Sequence, residues 1–207
     1  MVTRRALLLS PAAALLSGCS FGDPGAARVK VSDDGFEGTA LKGAFALPDV
    51  TLTDTSGQPY HMRTSPATPV VVLFFGYSNC PDVCSGILAD LATARRRLDE
   101  PALAAKITLM CVTTDPARDT PEVLRAYLER IDPSYVGLTG PLETIVAAAS
   151  QVGVAIEEGK KLPSGGYEVD HGTQVIGFGP DRKAAVVWTT GTTIAAYKAD
   201  FARLASA

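Results

Sequence analysis

Histidine is nearly absent from this chain of 207 residues, which has two, and cysteine is scarce at four. Any metal or thiol chemistry must therefore be built from a handful of side chains. Basic excess is also missing: 19 Lys and Arg face 22 Asp and Glu, a formal net charge of −3. That is not the electrostatic footprint of a nucleic-acid binder, and no nucleic-acid partner is expected. Internal repeats and low-complexity segments are lacking. The N-terminal apolar run, residues 6–16, is too short to span a bilayer as a stable helix. What remains, 46% apolar and 20% charged residues, suits one compact globular domain with appendages.

The first appendage is a targeting segment. Arg4 and Arg5 make a basic start, residues 6–16 follow as the apolar region, and Leu16-Ser17-Gly18-Cys19 closes it with small residues before a cysteine. Those last four residues resemble a bacterial lipobox, so residues 1–18 are expected to be a lipoprotein signal peptide and Cys19 the lipidated new N-terminus. An ordinary secretory signal with an incidental cysteine is the plainer alternative, and the Arg pair also resembles a twin-arginine export signal. Residues 19–42, rich in Gly, Asp and Ala without periodicity, are expected to be a lipid-anchored flexible tether. The protein is then expected at the cell membrane, on the extracytoplasmic face, with its folded domain over residues 43–207. Disulfides can persist in that compartment.

The rest of the chain is organised around Phe74-Phe75-Gly76-Tyr77-Ser78-Asn79-Cys80-Pro81-Asp82-Val83-Cys84. Residues 70–75 are a continuous apolar run, the pattern of a strand buried on both faces of a sheet. Ile87, Leu88, Leu91, Ala94 and Leu98 then recur at helical spacing, which puts Cys84 in or just before the first helical turn, with Asp82 a candidate cap. The helix dipole at such a position favours thiolate over thiol.

Before this core, residues 47–53 and 59–62 flank a Gly-containing turn and read as a hairpin. After it, residues 107–113 form a second buried-strand pattern. Thr120 and Pro121 open a helix with Val123, Leu124, Tyr127, Leu128 and Ile131 on its apolar face. A short strand over 135–138 and a helix bearing Leu142, Ile145, Val146 and Ala149 come next. Residues 152–156 and 174–178 read as strands separated by a polar loop, 184–189 completes a hairpin, and Thr192 or Thr193 caps a last helix with Ile194, Tyr197, Phe201 and Leu204 on one face. This order is that of an α/β, thioredoxin-like domain: a mixed central sheet with flanking helices and an added N-terminal hairpin.

Two thiolates, Cys80 and Cys84, and one imidazole, His171 in a loop-like stretch before residue 174, would suit a soft or borderline ion. Cu(I) fits best, with Cu(II) and Zn(II) also admitted by ligand type. The plainer readings are a structural disulfide for the pair and a surface loop position for the histidine. Cys111 reads as a small core residue, His61 as a solvated strand residue, and Met62 and Met110 as packing. Asp115, Arg118 and Asp119 read as loop and helix-start residues. They also lie at the carboxyl end of the strand that should neighbour residues 70–75, close to the cysteine loop.

Gly76-Tyr77-Ser78-Asn79-Cys80-Pro81-Asp82-Val83-Cys84, then Asp115-Pro116-Ala117-Arg118-Asp119-Thr120-Pro121, then Asp170-His171, resemble in order and spacing the Sco/SenC family of copper-binding proteins, over about residues 45–205. The resemblance implies a membrane-anchored thioredoxin-like fold in which Cys80, Cys84 and His171 bind copper. It further implies delivery of that copper, or reduction of the receiving cysteines, during assembly of the binuclear copper centre of cytochrome c oxidase subunit II. That subunit or another extracytoplasmic copper protein is the expected partner, and a monomer the expected state. Ser85, Asn79 and Gly172 stand where the family often has Pro, His and Ser or Thr; these departures spare the ligands and alter the surroundings of Cys84 and His171. The competing function is a thiol–disulfide oxidoreductase with Cys80 and Cys84 as its catalytic redox pair. A peroxiredoxin-like peroxidase would share the fold type, but its dedicated peroxidatic loop has no clear counterpart in this sequence.

Overall fold

The computed structural model describes residues 35–81, 83–161 and 167–207, of which 158–161 and 167–171 enter as backbone. In chain order the elements are β1 (Thr39–Ala40), β2 (Thr51–Asp54), β3 (Pro59–His61), β4 (Val70–Gly76), α1 (Cys84–Arg96), α2 (Pro101–Ala104), β5 (Ile107–Thr113), α3 (Pro121–Glu129), β6 (Val136–Thr139), α4 (Leu142–Gln151), β7 (Ile156–Lys161), β8 (Tyr167–His171), β9 (Val175–Phe178), β10 (Ala184–Trp188) and α5 (Ile194–Ser206). The expected signal peptide, Cys19, the tether up to residue 34, Asp82 and residues 162–166 lie outside the described residues.

Eight strands form one sheet in the order β1-β10-β9-β4-β5-β6-β2-β3, and β7 pairs with β8 apart from it. β4, β5 and β6 run parallel, joined by helical crossovers, while β9 lies antiparallel against the other side of β4. β4 therefore has a strand on each side and a packed layer on each face, and all seven of its residues are buried. This explains its unbroken apolar run, since no face is left for a polar residue. Val70, Val72 and Phe74 pack under α1, α3 and α5 with Leu88, Leu91, Leu124, Leu128 and Phe201. Val71, Leu73 and Phe75 meet α4 through Ile145, Ala148 and Ala149 on the opposite face. At about 1.5–3 kcal/mol for each large side chain fully buried, the two faces of this one strand anchor both layers.

Helix starts follow the expected chemistry. The Thr120 hydroxyl accepts from the Val123 N–H at 3.3 Å with Pro121 at the first helical position, and Thr193 accepts from Ala196 at 3.2 Å. On α3, Val123 departs from the expected apolar face and is 43% exposed.

Three expectations are corrected. Residues 152–155 are not a strand: Val152 is the C-cap of α4, Gly153 takes φ +72°, and the Val154 N–H returns to the Ala149 carbonyl at 3.0 Å. Alternating valines imitate a strand there, but the glycine closes a helix, and β7 starts only at Ile156. His171 is not in a loop; it ends β8, paired in register with Ile156. The folded part also begins before residue 43. β1 pairs with β10, and the N–H groups of Glu37 and Gly38 donate to the buried Asp200 carboxylate at 2.8 and 2.9 Å.

Candidate metal centre

β4 delivers the cysteine loop to the carboxyl end of the sheet. Its last residue is glycine for a steric reason, because a Cβ there would stand 2.5 Å from the Phe74 ring. The loop crosses the sheet end and α1 begins at Cys84, as the spacing predicts. Val83 is the N-cap and its side chain makes no capping hydrogen bond.

Cys80 and Cys84 are both free thiols; Cys80 is partly exposed and Cys84 is fully enclosed. The two share a hydrogen bond. Burial pushes the Cys84 thiol far above its ordinary range, the bond to Cys80 adds to that, and the Tyr77 amide donating to the Cys84 sulfur opposes it. The expectation that the helix start favours thiolate is thus overturned at Cys84. A helix terminus is worth about 0.3–1 kcal/mol, up to ~2 in favourable geometry, whereas full burial can shift a pKa by several units. Burial wins. Without an ion, Cys84 is a protonated thiol at neutral pH; a bound soft cation would take the place of that proton.

Among the described residues the loop following β5 grips the cysteine loop through Arg118 and Asp119. Arg118, paired with Asp115, lays its guanidinium 5.8 Å from the centre of the Tyr77 ring. The Tyr77 carbonyl in turn accepts from the Cys80 N–H at 3.3 Å. Asp119, fully buried, accepts from the Ser78 N–H at 3.0 Å, from the Ser78 hydroxyl at 2.5 Å and from the Thr113 hydroxyl at 2.6 Å. The sequence puts these residues near the cysteines without showing that they hold them. The Asp119–Ser78 tie is the functional feature it misses, and the position of Asp119 one residue before a capped helix is the signal that hides it.

His171 is located by its backbone. Val175, four residues later, pairs with Phe74, and the Gly172 N–H donates to Ala155 at 3.1 Å. β8 therefore ends beside the sheet end to which β4 brings Cys80. Among the described residues no group of three His, Cys, Asp or Glu comes together as a metal site. His61 is elsewhere, on edge strand β3, with Nε2 3.0 Å from Asp49. Met62, Met110 and Cys111 are buried in the core.

A mixed sheet with helices on both faces and a free Cys-x-x-x-Cys pair at a strand-to-helix turn defines a thioredoxin-like protein with a dithiol site at the carboxyl end of its sheet. The family model described as SCO1/SenC matches residues 38–206, and the chain belongs to that family. It is 34% identical over 133 residues to the mitochondrial protein SCO2 of Saccharomyces cerevisiae, covering 64% of this chain and 42% of that one. Among solved structures, apo Sco1 of Thermus thermophilus is 30% identical, with a TM-score of 0.70, covering 83% of this chain and 96% of that one. ScoI of Bradyrhizobium japonicum with copper bound is 27% identical, TM-score 0.64, covering 74% and 96%. The chain spans 42 to 65% of the length of the first curated relatives it matches.

Proposed function

We propose that this chain is an extracytoplasmic copper metallochaperone, anchored through lipidated Cys19, that holds one copper ion on Cys80, Cys84 and His171. The observation that carries the reading is the pair of free, hydrogen-bonded thiols at the sheet end beside which β8 finishes at His171. The donor set suits the cargo: two sulfurs and an imidazole match Cu(I) by softness and can also take Cu(II). Family membership and the copper-bound structure of the Bradyrhizobium relative support the same ion. Partly exposed Cys80 leaves one side of the ion open to ligand exchange with a receiving protein. That receiver is cytochrome c oxidase subunit II, at its binuclear copper centre, or another extracytoplasmic copper protein. The protein acts as a monomer on its lipid tether. Among the described residues no helix is long and apolar enough to cross a membrane.

A second reading is favoured by the asymmetry of the pair. A partly exposed Cys80 could attack a partner disulfide and the enclosed Cys84 resolve it, with His171 dispensable. Copper titration of the reduced, metal-free protein separates the two, using the parent, Cys80→Ser, Cys84→Ser and His171→Ala. One tightly bound copper in the parent, weakened in all three variants, is the expected result. No stoichiometric copper in the parent, together with turnover of a partner disulfide that survives His171→Ala, would replace the chaperone with the oxidoreductase.

A further inference from the structure

Asp119 is a fully buried carboxylate that the proposed copper site does not use as a ligand. It is itself held firmly. Its N–H donates to the Asp115 carbonyl at 2.9 Å, its carbonyl accepts from the Thr139 hydroxyl at 3.0 Å, and the next residue caps α3. The ends of β5 and β6 and the start of α3 thus form one rigid seat for it. Of the three hydrogen bonds to its side chain, two come from Ser78, two residues before Cys80; the third comes from Thr113 at the end of β5. Cys84 needs no such help, because it opens a helix packed on the sheet. Cys80 sits in the loop, and Ser78 is that loop's hydrogen-bonded tie to the seat.

We infer that Asp119 is the positioning residue that keeps Cys80 and Cys84 as two open thiols, a ready two-sulfur bite, instead of a disulfide. The two thiols already share a hydrogen bond, and a disulfide requires their sulfurs to close further, to bonding distance at a fixed dihedral. A loop pinned at Ser78 resists that movement; a loop released from Asp119 does not. The same pinning pre-organises the sulfurs for an ion, so the copper arm of the test rests on the chaperone reading while the redox arm does not.

The experiment compares the parent, Asp119→Asn and Ser78→Ala in copper-free exchange with glutathione. Cys80 and Cys84 lose two S–H bonds and form one S–S bond, and one oxidised glutathione is reduced to two thiols. Asp119→Asn is expected to raise the equilibrium constant for this oxidation about tenfold, or about 30 mV. It should keep one copper per chain but weaken its binding by about 10–100-fold. Ser78→Ala, which loses the hydroxyl contacts to Asp119 and Asn79 and keeps the N–H bond to Asp119, should move both in the same direction by less. A folded Asp119→Asn protein that is merely less stable, with the parent's glutathione equilibrium, overturns the inference. If Asp119→Asn does not fold, Ser78→Ala decides by the same criterion. Should the parent bind no copper, the chaperone reading fails, and the glutathione equilibrium still tests Asp119.

Discussion

Cys84 and Cys111 are both enclosed in the apolar layer under α1, and burial pushes both thiols far above their ordinary value of 9.0. Cys80 lies at the edge of the same layer, partly exposed. Iodoacetamide at pH 8 should therefore label Cys80 first in the reduced, metal-free protein, with Cys84 and Cys111 reacting only on unfolding; peptide mapping over time reads the order. Equal rates at Cys80 and Cys84 would contradict the enclosure. The same burial fixes a pH dependence. Unfolded thiols ionise near 9.0, whereas the folded ones stay protonated well beyond it. Their contribution is thus fully present below that pH and is lost as pH rises above it, by at most about 1.4 kcal/mol per pH unit and thiol. Thermal melts at pH 8 and pH 10.5 should show this loss, and Cys111→Ala should reduce the slope. At this scale the sequence reveals which residues matter but not their charge. A strand-to-helix turn is legible from spacing, whereas the layer that closes over Cys84 is assembled from α1, α3 and α5, far apart in the chain.

Strands and helices with strong periodicity were legible because each depends on local pattern. The continuous apolar runs gave β4 and β5, and the Thr-Pro pair gave the start of α3. The elements that were not legible depend on distant partners. β1 has two residues and exists because β10 offers it an edge. Its approach is fastened by Asp200, buried on α5, whose carboxylate takes the N–H groups of Glu37 and Gly38 and the Trp188 indole N–H at 2.6 Å. Trp188 in turn meets Tyr197 and Phe201 edge-on at 5.4 and 5.6 Å. Asp200→Ala leaves three donors without their acceptor and is expected to cost about 2–4 kcal/mol. Limited proteolysis should then cut near residues 35–42 before the rest of the domain unfolds. If those residues stay protected and stability is unchanged, the clasp is not what holds them. The strand position of His171 is hidden from the sequence for a similar reason: β8 is polar, and its strand character comes from pairing with β7.

In the whole molecule, one end of the sheet gathers the residues that sequence separates by ninety positions. The cysteine loop leaves β4 there, the Asp115–Arg118–Asp119 segment leaves β5 beside it, and β8 ends close to the start of β9. β4 is the axis of this arrangement, since β5 pairs with one side of it and β9 with the other. The family and the general fold could be read from three short motifs. The grip of Asp119 and Arg118 on the loop could not, because it joins side chains across two strand ends. The central proposal is that Cys80, Cys84 and His171 hold copper together. X-ray absorption at the copper edge, on protein loaded with one equivalent of Cu(I), tests it most directly. A first shell of two sulfurs and one nitrogen is the predicted result, with the nitrogen lost in His171→Ala. A shell without sulfur, or a nitrogen that persists in that variant, would contradict it.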